Sequence, residues 1–308
     1  MPTAEPHRLL IVSPVRNEAE HIERTAAALA AQTRPPDLWI VVDDGSDDAT
    51  PVLLRALSSE LPFMRVMTTP AGYTVSAGDR HAVAASPRAF NWALRSVAWR
   101  DFTHIGKLDG DIELPPSYFG QLLQRFHDQP DLGIAGGTLV EELRGAWRTT
   151  QVPSYHVRGA LKLYSLACFE AIGGVEERLG WDTIDETYAR MHGYTTHSFS
   201  DLVAKHHRQL ASADGELRGR ARYGRAAYTL RYGPGWVALR SVKVAGSKPI
   251  GLSGMAFLWG YAQAALTSSP KVEDEEFRRF VRRELRGRLL RPVSRFSARR
   301  KLPLRTTV

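Results

Sequence analysis

Cysteine is all but missing: Cys168 is the single one in 308 residues. That excludes an internal disulfide framework and fits a reducing compartment. Long apolar segments are missing too. The N-terminus, MPTAEPHRLLIVSP, has no extended apolar core behind a basic start, so no signal peptide is expected. The apolar stretch GLSGMAFLWGYAQAAL, residues 251–266, is short. A membrane-spanning helix takes about 20 residues, and Lys248-Pro249 blocks extension upstream. A helix lying in a membrane interface or packed on a core is expected instead. Acidic residues are scarce at one end. From Lys271 to Val308 there are 13 Lys/Arg against 5 Asp/Glu, a balance of +8 that equals the net charge of the whole chain. The first 270 residues are therefore near neutral, and the basicity belongs to a tail. Such a tail suits an anionic membrane surface, or is simply a solvated helical face. No nucleic-acid motif accompanies it, so no nucleic-acid partner is expected.

What is present is ordinary for a soluble globular protein: 43% apolar and 24% charged residues. The first half alternates. RLLIVSP, LWIVVDD, MRVMTT and FTHIGKLD are short apolar runs that read as buried strands. Between them lie helical patterns: NEAEHIERTAAALAAQ with Asn17 placed as a cap, ATPVLLRALSSE, and Arg80 to Arg100 with a restart at Pro87. A fourth helical pattern, PPSYFGQLLQRFHDQ, opens on proline. Strand-helix alternation predicts parallel strands with crossover helices, and ligands then sit outside the carboxyl ends of the strands. Those ends carry SPVRNE, DDGSDD and DGDIE. The second half is less regular, with strands at LGIAGGTLVEEL and around YHVRGALKLYS and a helix over WDTIDETYARMHG. The reading is an α/β domain over 1–240 and a helical, basic extension over 241–308.

Four groups of residues bear chemistry. In VVDDGSDDAT, Asp-Gly-Ser is ordinary turn chemistry, yet capping the next helix needs only one acid. A second acid at the strand end can accept a base N–H. In Asp109-Gly110-Asp111, two carboxylates around a glycine can face one divalent ion; a turn with two solvated acids explains them equally. Two carboxylates alone are too few for Mg²⁺ or Mn²⁺, so a diphosphate would complete the shell. In GWDTIDETYARMHGY, Asp182 and Asp185 share a helix face, and either can serve as a general base, with Trp181 as a wall for a sugar ring. In AKHHRQ, strand alternation sends His206 and His207 to opposite faces, so at most one is a metal ligand.

The order of these pieces resembles the inverting glycosyltransferases of family 2, which have the GT-A fold. IVSPVRNEAEHIERTAAALAAQTRPPDLWIVVDDGSDDAT is similar to that family's nucleotide-binding segment, KLDGDIELPPSYF to its D-x-D segment, and GGVEERLGWDTIDETYARMHGY to its acceptor-side segment. The match runs from about residue 8 to 210. The resemblance implies a Rossmann-like, mostly parallel sheet flanked by helices, with a nucleotide-sugar donor and Mg²⁺ or Mn²⁺ as cofactor. It places Pro14, Arg16, Glu18, Asp44, Ser46, Lys107 and Asp109 around the nucleotide, with Asp44 on the base. Asp109 and Asp111 fall on the metal pair. The family usually opens its acceptor-side helix with Glu-Asp; here Trp181-Asp182 stands there without the Glu, and the helix-closing Gly193 lies eleven residues beyond Asp182, the spacing expected of the family, which favours Asp182 as base over Asp185. The chain lacks Q-x-x-R-W, so a single addition to a glycan or lipid-linked acceptor of the cell envelope is expected rather than polymerisation. The expected location is the cytoplasm, with peripheral contact at the inner membrane face through the basic tail. A sugar-phosphate nucleotidyltransferase would carry a glycine-rich loop after its first strand, and SPVRNEAE has no glycine. A non-catalytic nucleotide-sugar-binding scaffold is the other alternative.

Overall fold

The computed structural model describes residues 7–70, 73, 84–143, 146–149, 152–207 and 215–290. Strand β1 (Leu9–Val15) leads to α1 (Ile22–Ala30), β2 (Leu38–Asp43), α2 (Thr50–Glu60), β3 (Met64–Thr68), α3 (Ala85–Leu94) and β4 (His104–Leu108). Then follow β5 (Ile112–Glu113), α4 (Tyr118–Asp128), β6 (Leu132–Leu143), β7 (Ala146–Thr149), β8 (Leu161–Ser165), α5 (Leu166–Ala171), α6 (Trp181–Met191) and β9 (Thr195–His206). Four helices close the described chain: α7 (Glu216–Thr229), α8 (Pro234–Ala245), α9 (Leu252–Leu266) and α10 (Glu275–Leu290).

One sheet carries the fold, in the order β3-β2-β1-β4-β8-β6-β9-β5, with β7 paired to β6. Its first four strands are parallel, as the alternating pattern predicts. Beyond β4 the sheet is mixed: β8 runs antiparallel to β4 and β6, β9 parallel to β6, and β5 antiparallel to β9. The connections there lack the strand-helix rhythm, which is why the sequence read as less regular.

Strand alternation divides the core in two. Leu9, Ile11, Trp39 and Val41 point to the layer formed with α1, α2 and α4. Leu10, Val12, Ile40 and Val42 point to the layer with α3, α5 and α6. In α1 the buried residues Ile22, Thr25, Ala26 and Leu29 form one stripe of helical period. Asn17 does not cap α1, which starts five residues later; it takes a left-handed backbone, φ 55°, and its side chain holds the neighbouring loop.

Position 240/241 lies inside α8, and α7 is the first of the closing helices. Nor does the extension stand apart. Phe277, Val281 and Leu285 of α10 pack with Ile184 of α6 in one apolar cluster. The basic tail's residues from 291 onward lie outside the described residues, as does Arg208. Among the described residues no helix is long and apolar enough to cross a membrane.

Candidate active site

The carboxyl ends of β1, β2 and β4 lie side by side, so the loops that follow them meet. The first two are strapped together. Asn17 Nδ2 donates to Asp47 Oδ1 at 2.6 Å, and Asp47 N donates back to Asn17 Oδ1 at 3.0 Å. Asn17 N donates to Ser46 Oγ at 3.0 Å, and Ser46 Oγ donates to Asp43 Oδ1 at 2.6 Å. Glu18 is buried, its N–H held by Thr50 Oγ1 at 2.8 Å. Asp44 is buried where β1 and β3 flank it: its N–H reaches Val15 O, and Thr69 Oγ1 donates to its Oδ1 at 3.1 Å. Arg16 Nη1 lies 3.5 Å from the Asp44 carbonyl oxygen. Pro14, half-buried, pairs in register with Val42 at the end of β1. Pro14, Arg16, Glu18, Asp44 and Ser46 thus occupy one fixed edge.

The second element is the turn from β4 into β5. A Cβ on Gly110 would come within 2.7 Å of Val15 Cγ1, so only glycine lets this turn pass beneath the first loop. Asp109 stays partly exposed above it, while Asp111 is buried. The β5–β9 ladder pairs Ile112 with His206, and this brings the Asp111 and His206 side chains together, Oδ2 to Nε2 3.2 Å. Asp109, Asp111 and His206 offer three ligand atoms within 4.8 Å of one another. His207 goes the other way, as alternation requires: its Nε2 meets Glu113 Oε2 at 2.9 Å, and it is removed from the metal set.

Glu141 stands behind His206, and composition gave no hint of it. It pairs with His206 across β6 and β9, its Oε1 lies 3.5 Å from Nδ1, and Arg158 holds it at 2.6 Å. A carboxylate behind an imidazole whose other nitrogen faces a metal position is the usual way to fix the ring and its tautomer. Burial disfavours a charged His206. The Asp111 and Glu141 carboxylates beside it and the charge of Asp109 outweigh it and lift the imidazole to about 9. Two carboxylates and an imidazole are a hard, mainly oxygen donor set suited to Mg²⁺ or Mn²⁺ with further oxygens from a ligand. The residues fit such an ion.

Two lysines face each other across β4 and β8, Lys107 opposite Lys162. Lys107 is buried; its Nζ contacts Asp109 Oδ1 and donates to the Gly159 carbonyl at 2.9 Å. Lys107 thus props Asp109 from beneath. Lys162 is fully buried as well. Its Nζ donates to both Asp185 oxygens, at 2.8 and 2.9 Å, and lies 3.2 Å from Glu186. Tyr164 OH donates to Asp185 at 2.5 Å, and His156 Nδ1 lies 3.0 Å from Glu186. Burial opposes the ammonium of Lys162, but Asp185, Glu186 and Asp182 together hold it charged, with its affinity for the proton raised. Asp185 is only 2% exposed. It is therefore withdrawn as a base, because its oxygens are saturated and out of reach of a substrate.

Asp182 differs. It sits in the first turn of α6, partly exposed, and its backbone carbonyl accepts from Lys162 Nζ at 2.6 Å. Trp181 beside it lies over both lysines, 5.4 Å from Lys107 Nζ and 5.5 Å from Lys162 Nζ. A Cβ on Gly159 would fall 2.7 Å from the Trp181 ring and 3.2 Å from Asp182 Cβ, so this glycine seats both residues against the sheet edge. Lys107 therefore links the carboxylate pair to the start of α6. The lone Cys168 is buried in the second core layer; burial first, then the charge of Asp185, pushes its thiol up to about 12. It is inert packing, as the sequence suggested.

The fold is a mixed sheet with helices on both faces and a cluster of two acids and a histidine at its carboxyl edge. The model of the family "Glycosyl transferase family 2" matches residues 10–171, more than half of the chain. The chain belongs to that family and is a glycosyltransferase with the GT-A fold. The structure is similar to that of the mannosyltransferase PcManGT from Pyrobaculum calidifontis in complex with GDP-Man and Mn²⁺. The TM-score is 0.53 and the identity 18%, covering 92% of this chain and 80% of that one. It is similar to residues 1–349 of S. aureus TarS in complex with UDP-GlcNAc, with TM-score 0.52 and 14% identity over 88% of this chain and 78% of that one. A longer TarS structure gives TM-score 0.51 and 13% identity, over 82% of this chain and 42% of that chain. At these identities the likeness concerns the fold. A comparison with curated proteins finds no match.

Proposed function

We propose that this glycosyltransferase moves one sugar from a UDP- or GDP-linked donor to a hydroxyl of a glycan or lipid-linked glycan of the cell envelope, in a single inverting displacement. The observation that carries the reading is the set Asp109, Asp111 and His206 at the sheet edge where a GT-A chain receives its donor. The PcManGT and TarS complexes with GDP-Man and Mn²⁺, and with UDP-GlcNAc, support a nucleotide-sugar donor and a divalent ion. A Mg²⁺ or Mn²⁺ bound by the three residues supplies charge compensation to the leaving diphosphate.

The chain's own residues do the rest. Asp44, buried and steadied by Thr69, accepts the base N–H, while Pro14, Arg16, Glu18 and Ser46 frame the nucleoside. Glu141 and Arg158 keep His206 oriented, and Lys107 keeps Asp109 in place. Trp181 offers a flat apolar wall to the sugar ring. Asp182 takes the proton from the acceptor hydroxyl as that oxygen attacks the anomeric carbon from the face opposite the diphosphate. Lys162, bonded to the Asp182 carbonyl, fixes the first turn that presents the carboxylate. The site works at the inner face of the membrane, with the tail as one peripheral contact.

The test is a screen of UDP- and GDP-sugars for metal-dependent donor hydrolysis, followed by transfer with Asp182→Asn. The variant is expected to keep metal-dependent donor binding and to lose on the order of 10²–10⁴ in transfer rate. Transfer at the wild-type rate removes Asp182 as the base. Absence of binding to any nucleotide removes the transferase reading and favours a scaffold.

A further inference from the structure

Among the described residues, none covers one apolar face of the helical extension. Leu239 and Val242 on α8, Ile250 at the corner, and Met255, Trp259 and Leu266 on α9 are each more than half exposed. On α9, residues 252, 255, 259 and 266 form one stripe, and the opposite stripe, Ser253, Gly254, Phe257, Gly260 and Ala264, is buried. The buried side is built for close packing. A Cβ on Gly260 would sit 1.8 Å from the Ala221 carbonyl oxygen of α7, and one on Gly254 would sit 2.6 Å from the Ser241 oxygen of α8. At these two crossings only glycine fits; Phe257 is the one large side chain of α9 in the buried stripe, and Met255, Trp259 and Leu266 face outward. Monomeric proteins rarely leave such a row of large apolar side chains exposed without a partner.

Charge decides which partner. From Leu217 to Val272 the sequence has nine Lys/Arg and no Asp or Glu. Arg240, Lys243 and Lys248 are exposed along the same two helices and their corner. A second copy of the chain would bring the same patch against itself, cation facing cation, which disfavours a symmetric dimer through this face. An anionic lipid surface matches both features, since it accepts apolar side chains below its headgroups and cations at their level. We propose that α8, α9 and their corner form an in-plane docking surface for an anionic lipid bilayer. The 15 residues of α9 span about 22 Å, against about 30 Å of hydrocarbon in a bilayer, so it lies in the interface and does not cross. This places membrane contact on a folded surface distinct from the tail.

The surface is also set beside the acceptor end of the site. Ala226 and Leu230 of α7 flank Gly180, directly before Trp181 and Asp182, while α9 packs on α7 through Gly224 and Gly260. Helices α9 and α7 thus lie between the docking face and the start of α6.

The experiment is flotation of the full chain, without donor, on vesicles of equal parts phosphatidylglycerol and phosphatidylcholine and on pure phosphatidylcholine. Wild type is expected to float with the anionic vesicles and far less with the neutral ones. Met255→Glu/Trp259→Glu is expected to bind at least about tenfold more weakly, with an unchanged melting temperature because both side chains are exposed. Deletion of 291–308 is expected to weaken binding through the lost tail cations but to leave flotation on anionic vesicles that the double variant, added to the deletion, removes. Flotation of the double variant at the wild-type level overturns the proposal, as does a wild type that does not float. A wild type that sediments as a dimer, with the double variant monomeric and neither floating, assigns the face to a second copy. Vesicle binding needs no sugar nucleotide, so failure here leaves the transferase reading untouched, and the reverse holds too.

Discussion

Lys107 and Lys162 face each other across β4 and β8, and each serves a pair of acids, yet the two pairs have opposite characters. Around Lys162 the acids are closed. Asp185 and Glu186 take the buried ammonium and Tyr164 hydroxyl and the partly exposed His156 ring between them. Around Lys107 the acids are open. The lysine touches Asp109 alone of the two carboxylates in that turn, and the remaining oxygens converge with His206 on one small space. The difference shows what turns a carboxylate pair from scaffold into site. A buried pair with an internal cation is complete; a pair whose cation supports it only from below still has coordination to offer.

Breaking the closed cluster has the largest effect. Lys162→Met strands two buried carboxylates, which costs about 3–5 kcal/mol. Urea unfolding measures it, and a loss below about 1 kcal/mol would show that the cluster is not closed. The open cluster is softer. Glu141→Gln leaves the three ligands in place but loosens the His206 ring, and a 10–100-fold weaker metal affinity is expected. Titration calorimetry with Mn²⁺ reads this directly; an unaltered affinity means Glu141 does not support the ligand. The smallest effect is pH dependence in the closed cluster. Burial disfavours charge on His156, but Glu186 outweighs it and raises the group above its ordinary 6.5. A raised folded value stabilises fully below the unfolded value and fades as pH rises through the folded one. Wild type should thus lose stability as pH climbs above 6.5, and His156→Gln should flatten that slope. An equal slope in the variant would assign it elsewhere.

The sequence made the parallel half legible because there each strand end is followed at once by its helix. SPVRNE, DDGSDD and DGDIE could be placed on one edge from periodicity alone. The mixed half hid its contributions. His206 reaches the site only because the two-residue strand β5 turns back onto β9, a pairing of residues some ninety positions apart. Alternation limited the ligand to one of His206 and His207 but could not say which faced the cluster. Asp182 and Asp185 looked equivalent at a spacing of three, and burial separates them. A signal for that lay in ALKLYS: a lysine amid apolar strand residues demands a buried carboxylate. The extension read as helical only as a whole; the bounds of α8 and α10 were not legible, since α8 begins amid glycines and prolines and the charges of α10 masked the apolar stripe Phe277, Val281 and Leu285.

The most direct test of the open cluster compares wild type with Asp111→Asn by thermal shift, with UDP and GDP, in the presence and absence of Mn²⁺. Wild type is predicted to gain stability only when nucleotide and metal are both present, about 2.7 kcal/mol at a hundredfold excess over Kd. Asp111→Asn is predicted to fold normally and to lose that gain. An equal metal-dependent gain in the two proteins would contradict the assignment of Asp109, Asp111 and His206 as the place where the donor is held.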